Sequence, residues 1–98
     1  MTRRWTVRPP AQADIDDAVA WYEGQQSGLG SRLLDVLDRV FKRIRDSPLQ
    51  FPPVSVDVRR ALLHTFPYAV YFRATDQAVV ILAVLHLRRD PRVWQARS

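Results

Sequence analysis

Two histidines, fifteen Lys/Arg residues and no cysteine bound the chemistry open to this chain of 98 residues. His86 closes the apolar run Ala78 to Leu85 and is followed by Leu87, Arg88 and Arg89, while Arg59 and Arg60 open another β-prone segment. An imidazole that titrates near neutral pH can move a proton, and guanidinium groups can hold charge that develops on a phosphate. These are residue types suited to acid-base chemistry at a phosphate ester. Each has a plainer reading too. A histidine closing a strand can serve as a hydrogen-bonded cap, arginines on an edge strand discourage edge pairing, and His64 reads as structure. Neighbouring strand residues point to opposite faces, so only one of Arg59 and Arg60 can line a given face, and Arg88 and Arg89 divide the same way.

Without cysteine neither a disulfide framework nor a thiolate metal site can form, and a reducing cytoplasm is the expected location; no metal or cofactor is expected. The basic start, Thr2-Arg3-Arg4-Trp5, has no apolar signal core behind it, and the longest apolar run is too short to span a bilayer. Net charge is +5 with a pI near 10.7, which favours an acidic partner: nucleic acid, a ribosome or an acidic protein segment. The charge is unevenly spread. Arg88, Arg89, Arg92 and Arg97 stand against Asp90 alone in the last stretch, and Arg3, Arg4 and Arg8 open the chain with no acid among them.

The elements that must position these groups are legible. Trp5-Thr6-Val7 is a short strand stopped by Pro9-Pro10. Ala11, Ile15, Ala18, Val19 and Tyr22 mark one face of a helix, with Asp14, Asp16 and Asp17 placed toward its positive end and Gly24 and Gly28-Leu29-Gly30 ending it. Leu33, Leu37, Val40, Phe41 and Ile44 form the stripe of a second helix, capped by Ser31, stopped at Asp46-Ser47-Pro48 and supported by Asp35/Arg39 and Asp38/Lys42 pairs. After a proline-rich connection, Arg59 to His64 reads as a strand. Tyr68 to Ala74 is a second, with Tyr68, Val70 and Phe72 on one face; Ala78 to Leu85 is a continuously apolar central strand. The order strand, helix, helix, three strands predicts one α+β domain over residues 1–98, a helical hairpin on a small sheet.

The segments Arg59-Arg60-Ala61-Leu62-Leu63, Phe66-Pro67-Tyr68-Ala69-Val70-Tyr71-Phe72 and Val79 through Pro91 with Trp94 resemble the C-terminal half of RelE/ParE toxins of type II toxin-antitoxin systems. Ala13-Asp14-Ile15, Trp21-Tyr22-Glu23 and Gly28-Leu29-Gly30 resemble that superfamily's helical hairpin, so the likeness spans the chain. It implies a curved, mostly antiparallel sheet with two helices on one side and a concave basic surface on the other. It also implies neutralisation by a protein antitoxin whose C-terminal segment wraps the toxin, with Trp21, Tyr22 and Leu29 as candidate contacts. The antitoxin is expected to supply acidic and apolar residues, and DNA is expected to be contacted mainly through it.

Two activities occur in the superfamily: inhibition of DNA gyrase by ParE-type members and cleavage of ribosome-bound mRNA by RelE-type members. Arg59, Arg60, Arg88, Arg89, Trp94 and Arg97 are the candidate target-binding residues; for cleavage, His86 would join Arg59, Arg60, Arg88 and Arg89 as the catalytic set. Ribosome-dependent relatives often carry an arginine where Tyr68 stands and a catalytic tyrosine where Trp94 stands. An indole cannot act as acid or base. The departures favour gyrase, with the nuclease, or a relative that only binds antitoxin, as the alternatives.

Overall fold

Proline fixes where the first helix begins. In the computed structural model, which describes residues 2–98, β1 (Arg4–Val7) leads into α1 (Pro9–Gln25) with Pro9 and Pro10 in the first turn, where a missing N–H costs no intrahelical bond. The helix thus starts before Ala11 and continues through Gly24, which does not end it. Asp14, Asp16 and Asp17 accordingly fall beyond the first turn, outside the reach of the helix dipole expected to hold them.

Gly28 makes the turn, at φ 89°, a left-handed conformation that a side chain disfavours, and α2 (Leu29–Asp46) starts at the next residue. The cap expected of Ser31 is supplied from the other helix. The Glu23 carboxylate accepts N–H bonds from Gly28 at 3.0 Å and from Gly30 at 3.0 Å, and Ser31 lies inside α2. A Cβ on Gly30 would stand 2.9 Å from the Val19 carbonyl oxygen, so glycine lets the two helices approach closely. Leu33, Val36, Leu37, Val40 and Ile44 are the buried stripe of α2. The expected Asp35/Arg39 and Asp38/Lys42 pairs do not close; among the described residues the ion pairs are Arg92–Asp90 and Arg97–Asp14.

A 3-10 turn at Pro48–Gln50 precedes β2 (Arg59–Leu62), β3 (Tyr68–Ala74) and β4 (Ala78–His86), and a terminal helix α3 spans Arg92–Gln95. Strand β2 stops short of the His64 expected for it. The sheet order is β1-β4-β3-β2, with β1 parallel to β4 and the other neighbours antiparallel. The helical hairpin covers one face through Ile15, Leu37, Ile44, Phe72 and Ile81. On the other face, where a concave basic surface is expected, Val58, Tyr71, Leu82, Leu85 and Trp94 form a second buried cluster, so part of that face is covered. Strand β4 is therefore buried on both faces, as its unbroken apolar run predicts. No helix among the described residues is long and apolar enough to cross a membrane.

Candidate functional site

One irregularity in β4 decides where its terminal histidine goes. Tyr71 pairs with Ala83 and Phe72 with Ile81, so Leu82 is an extra residue, a β-bulge. Leu82 and Ala83 both join the cluster on the far face, while Ile81 and Val84 both belong to the helix-side core. The alternation resumes out of phase. His86, which unbroken alternation would send to the far face with Leu82, lies on the helix side, paired with Tyr68 and with its ring 5.4 Å from the Tyr68 ring.

There His86 borders a cleft of 240 Å³ between α1 and the end of β4, lined also by Asp14, Asp17, Trp21, Tyr68 and Arg89. Its Nδ1 accepts the Arg88 N–H at 3.0 Å, and its carbonyl accepts the Arg89 N–H at 2.9 Å. This is the capping role. Burial pushes the Tyr68 phenol above its ordinary value, helped by Tyr22 and opposed by the Arg89 charge. Trp21 is 58% exposed and meets Tyr22 edge-on at 4.9 Å; Tyr22 in turn meets Phe66 and Tyr68 edge-on. Leu29 packs half-buried against the helix-side core. Trp21 is thus the exposed end of an aromatic ladder that Tyr22 anchors.

The candidate arginines do not converge. Arg59 faces the helix side, and its Nη1 donates to the carbonyls of Phe51 at 2.6 Å and Leu49 at 3.3 Å, tying down the proline-rich connection. Arg60 pairs with Tyr71 and faces the far side. Arg88 and Arg89 are exposed on the turn after β4, beside Leu87, which is also exposed. Trp94, expected at a target-binding surface, is instead buried and stacked on Tyr71 at 5.1 Å. Arg97, expected there too, is engaged within the fold: its Nη1 lies 2.6 Å from Asp14 Oδ2 and 3.2 Å from the Leu82 carbonyl oxygen.

Sequence reading missed Asp14. Its Oδ2 also accepts the Val84 N–H at 3.1 Å. Strand β1 ends opposite Ile81, so the groups of β4 beyond it face no strand on that side, and Asp14 and Arg97 satisfy two of them. Local spacing carries no signal for a pair 83 residues apart. No group of three or more His, Cys, Asp or Glu among the described residues could hold a metal ion.

Comparison with known proteins bears on the whole domain. The family model for the ParE toxin of the type II toxin-antitoxin system parDE matches residues 6–91. Toxin ParE2 of Mycobacterium tuberculosis, found in two strains, is 35% identical over 97 residues, covering 98% of this chain and 92% of its own. A chain of the chromosomal ParDE TA system from P. aeruginosa shares the fold, with a TM-score of 0.76 at 18% identity over 87% of this chain and 96% of that one. The matched span begins inside β1 and ends after β4, taking in the glycine turn and the bulged strand, and this chain belongs to the ParE toxin family of type II toxin-antitoxin systems.

Proposed function

We propose that this toxin arrests growth by binding DNA gyrase, and that its cognate antitoxin grips the α1 side of the molecule around Trp21, Tyr22 and Leu29. The observation that weighs against cleavage, and so leaves gyrase as the reading, is the bulge in β4. It holds His86 on the helix side, with Nδ1 bound to a backbone N–H, while Arg60 lies across the sheet and Arg59 is bound to backbone carbonyls. An acid-base group cannot serve a phosphate held on the opposite face of a sheet. What supports a target-binding surface instead is the exposed Leu87-Arg88-Arg89 turn, apolar and cationic side by side. What supports the antitoxin contact is the exposed indole of Trp21, a residue type that often dominates protein interfaces.

Cleavage of RNA has one observation in its favour, the meeting of Asp17, Tyr68, His86 and Arg89 around one cleft. Induction of the chain in bacteria separates the two. Gyrase binding leaves amino-acid incorporation running over the first minutes while the DNA-damage response rises; rapid translation arrest with cut ribosome-bound mRNA would overturn it. In the same assay, replacing Arg88 and Arg89 with Ala relieves growth arrest while antitoxin binding stays nearly intact. Undiminished toxicity of that double variant would remove the turn from the working surface.

A further inference from the structure

A cleft of 540 Å³ lies at the opposite end of the molecule, where the start of β1 meets the end of α2. Arg3, Arg4 and Trp5 line it from one segment and Arg45 and Asp46 from another. The Arg45 guanidinium sits 4.3 Å from the centre of the Trp5 ring, and that ring is held edge-on by Phe41 at 5.2 Å. Arg3 donates through Nε to the Thr75 carbonyl at 2.8 Å, which orients its guanidinium and leaves both terminal nitrogens free of that bond. None of the three arginines is within ion-pair distance of a carboxylate among the described residues.

We infer that this cleft binds the phosphate backbone of a nucleic acid. Arg3 is oriented by the Thr75 carbonyl and Arg45 by the Trp5 ring, and with Arg4 they outnumber Asp46, the carboxylate on the cleft; such guanidinium groups suit phosphate oxygens, which they grip as a planar fork. An acidic protein segment fits the cleft less well. Among the described residues the exposed large apolar side chains are Trp21, Leu34, Leu49, Val56, Leu62 and Leu87, and none of them lines it; the Trp5 ring that does is half-buried and covered by Arg45. A protein partner draws affinity from an apolar anchor, whereas a phosphodiester chain needs mainly positive charge. Contacts to phosphate carry no base identity, so binding here is independent of sequence and sensitive to salt. This surface is separate from the Arg88–Arg89 turn, and it gives the toxin a nucleic-acid contact of its own beside any made by an antitoxin.

The test titrates the full-length chain against a fluorescent duplex DNA of arbitrary sequence and a single-stranded RNA of equal length, over a range of salt. Changing Arg3, Arg4 and Arg45 to Gln keeps part of each side-chain stem and removes the charge. Affinity should fall about tenfold or more at low salt, with the slope of log K against log salt smaller by roughly two to three. A control losing the same charge at Arg32, Arg39 and Arg92 should change affinity much less, and the tighter of the two probes identifies the nucleic acid. Circular dichroism checks the fold; should the triple variant unfold, the Arg3→Gln/Arg4→Gln pair answers the same question. Three results overturn the site: no binding at low salt, equal losses in variant and control, or displacement of the nucleic acid by polyglutamate at equal charge concentration.

Discussion

At the scale of single residues, two glycines of the helical hairpin have opposite demands. Gly30 has the Val19 carbonyl where its Cβ would go, whereas nothing lies within 4 Å of the Cβ position at Gly24, inside α1. Gly30→Ala should therefore destabilise the fold by about 1–3 kcal/mol through overpacking, and Gly24→Ala should stabilise it by up to about 1 kcal/mol through helix propensity. Urea unfolding of the two variants checks both signs; equal effects would mean the helices do not approach so closely. Tyr68 makes a pH prediction. Its phenol is raised in the fold, chiefly by burial, so the native state holds that proton more tightly than the unfolded chain does. The contribution is complete below the unfolded value near 10 and is lost as pH rises through the folded one. Stability should therefore fall more steeply in alkali for the wild type than for Tyr68→Phe. Arg89→Ala, which removes the opposing charge, should move the phenolate absorbance transition to still higher pH.

The element scale is governed by α3 and the strand it closes over. The Asp14–Arg97 pair is largely buried, with side-chain exposures of 12% and 22%, and it satisfies β4 groups beyond the end of β1. Arg97→Ala would leave a buried carboxylate unpaired and should cost about 2–4 kcal/mol. The same change should loosen Trp94 from Tyr71. Denaturation followed by Trp fluorescence in a background with Trp5 and Trp21 replaced by Phe reads both effects; unchanged stability would show that α3 docks through Trp94 alone. The bulge belongs to this scale as well. One extra residue in β4 sets which face its end presents, and so separates His86 from Arg60.

Across the whole molecule the charge is polarised. Helix α1 carries Asp14, Asp16, Asp17 and Glu23 with no Lys or Arg, although the net charge of the chain is +5. An antitoxin that seats on Trp21 meets this acidic helix first and reaches the arginines of α2 only by extending past it. Its contacts with α1 should thus be apolar or basic, and its acidic residues should lie where it leaves that helix. Toxin-antitoxin affinity is then expected to weaken with salt without being abolished, because the Trp21 contact is not ionic. Titrations at low and high salt, with and without Trp21→Ala, check this; affinity indifferent to salt would remove the electrostatic part.

Much of this protein is legible in the order of its residues alone. Period-3.6 stripes identify both helices, period-2 alternation identifies β3, and an apolar run without alternation marks β4 as a strand covered on both faces. These patterns are local, as are the superfamily motifs, so they survive without knowledge of distant contacts. The candidate site was legible only in part. Trp21 is exposed and Arg88 and Arg89 lie on an open turn, but Trp94, Arg97 and Arg59 are taken up by partners that spacing does not reveal. Tertiary structure decided those roles because a half-buried carboxylate at position 14 needs a cation, and the one that reaches it comes from the far end of the chain. It also decided the facing of His86, since alternation along a strand predicts a side chain's direction only until a bulge, which pairing with a neighbour defines, shifts the phase by one residue.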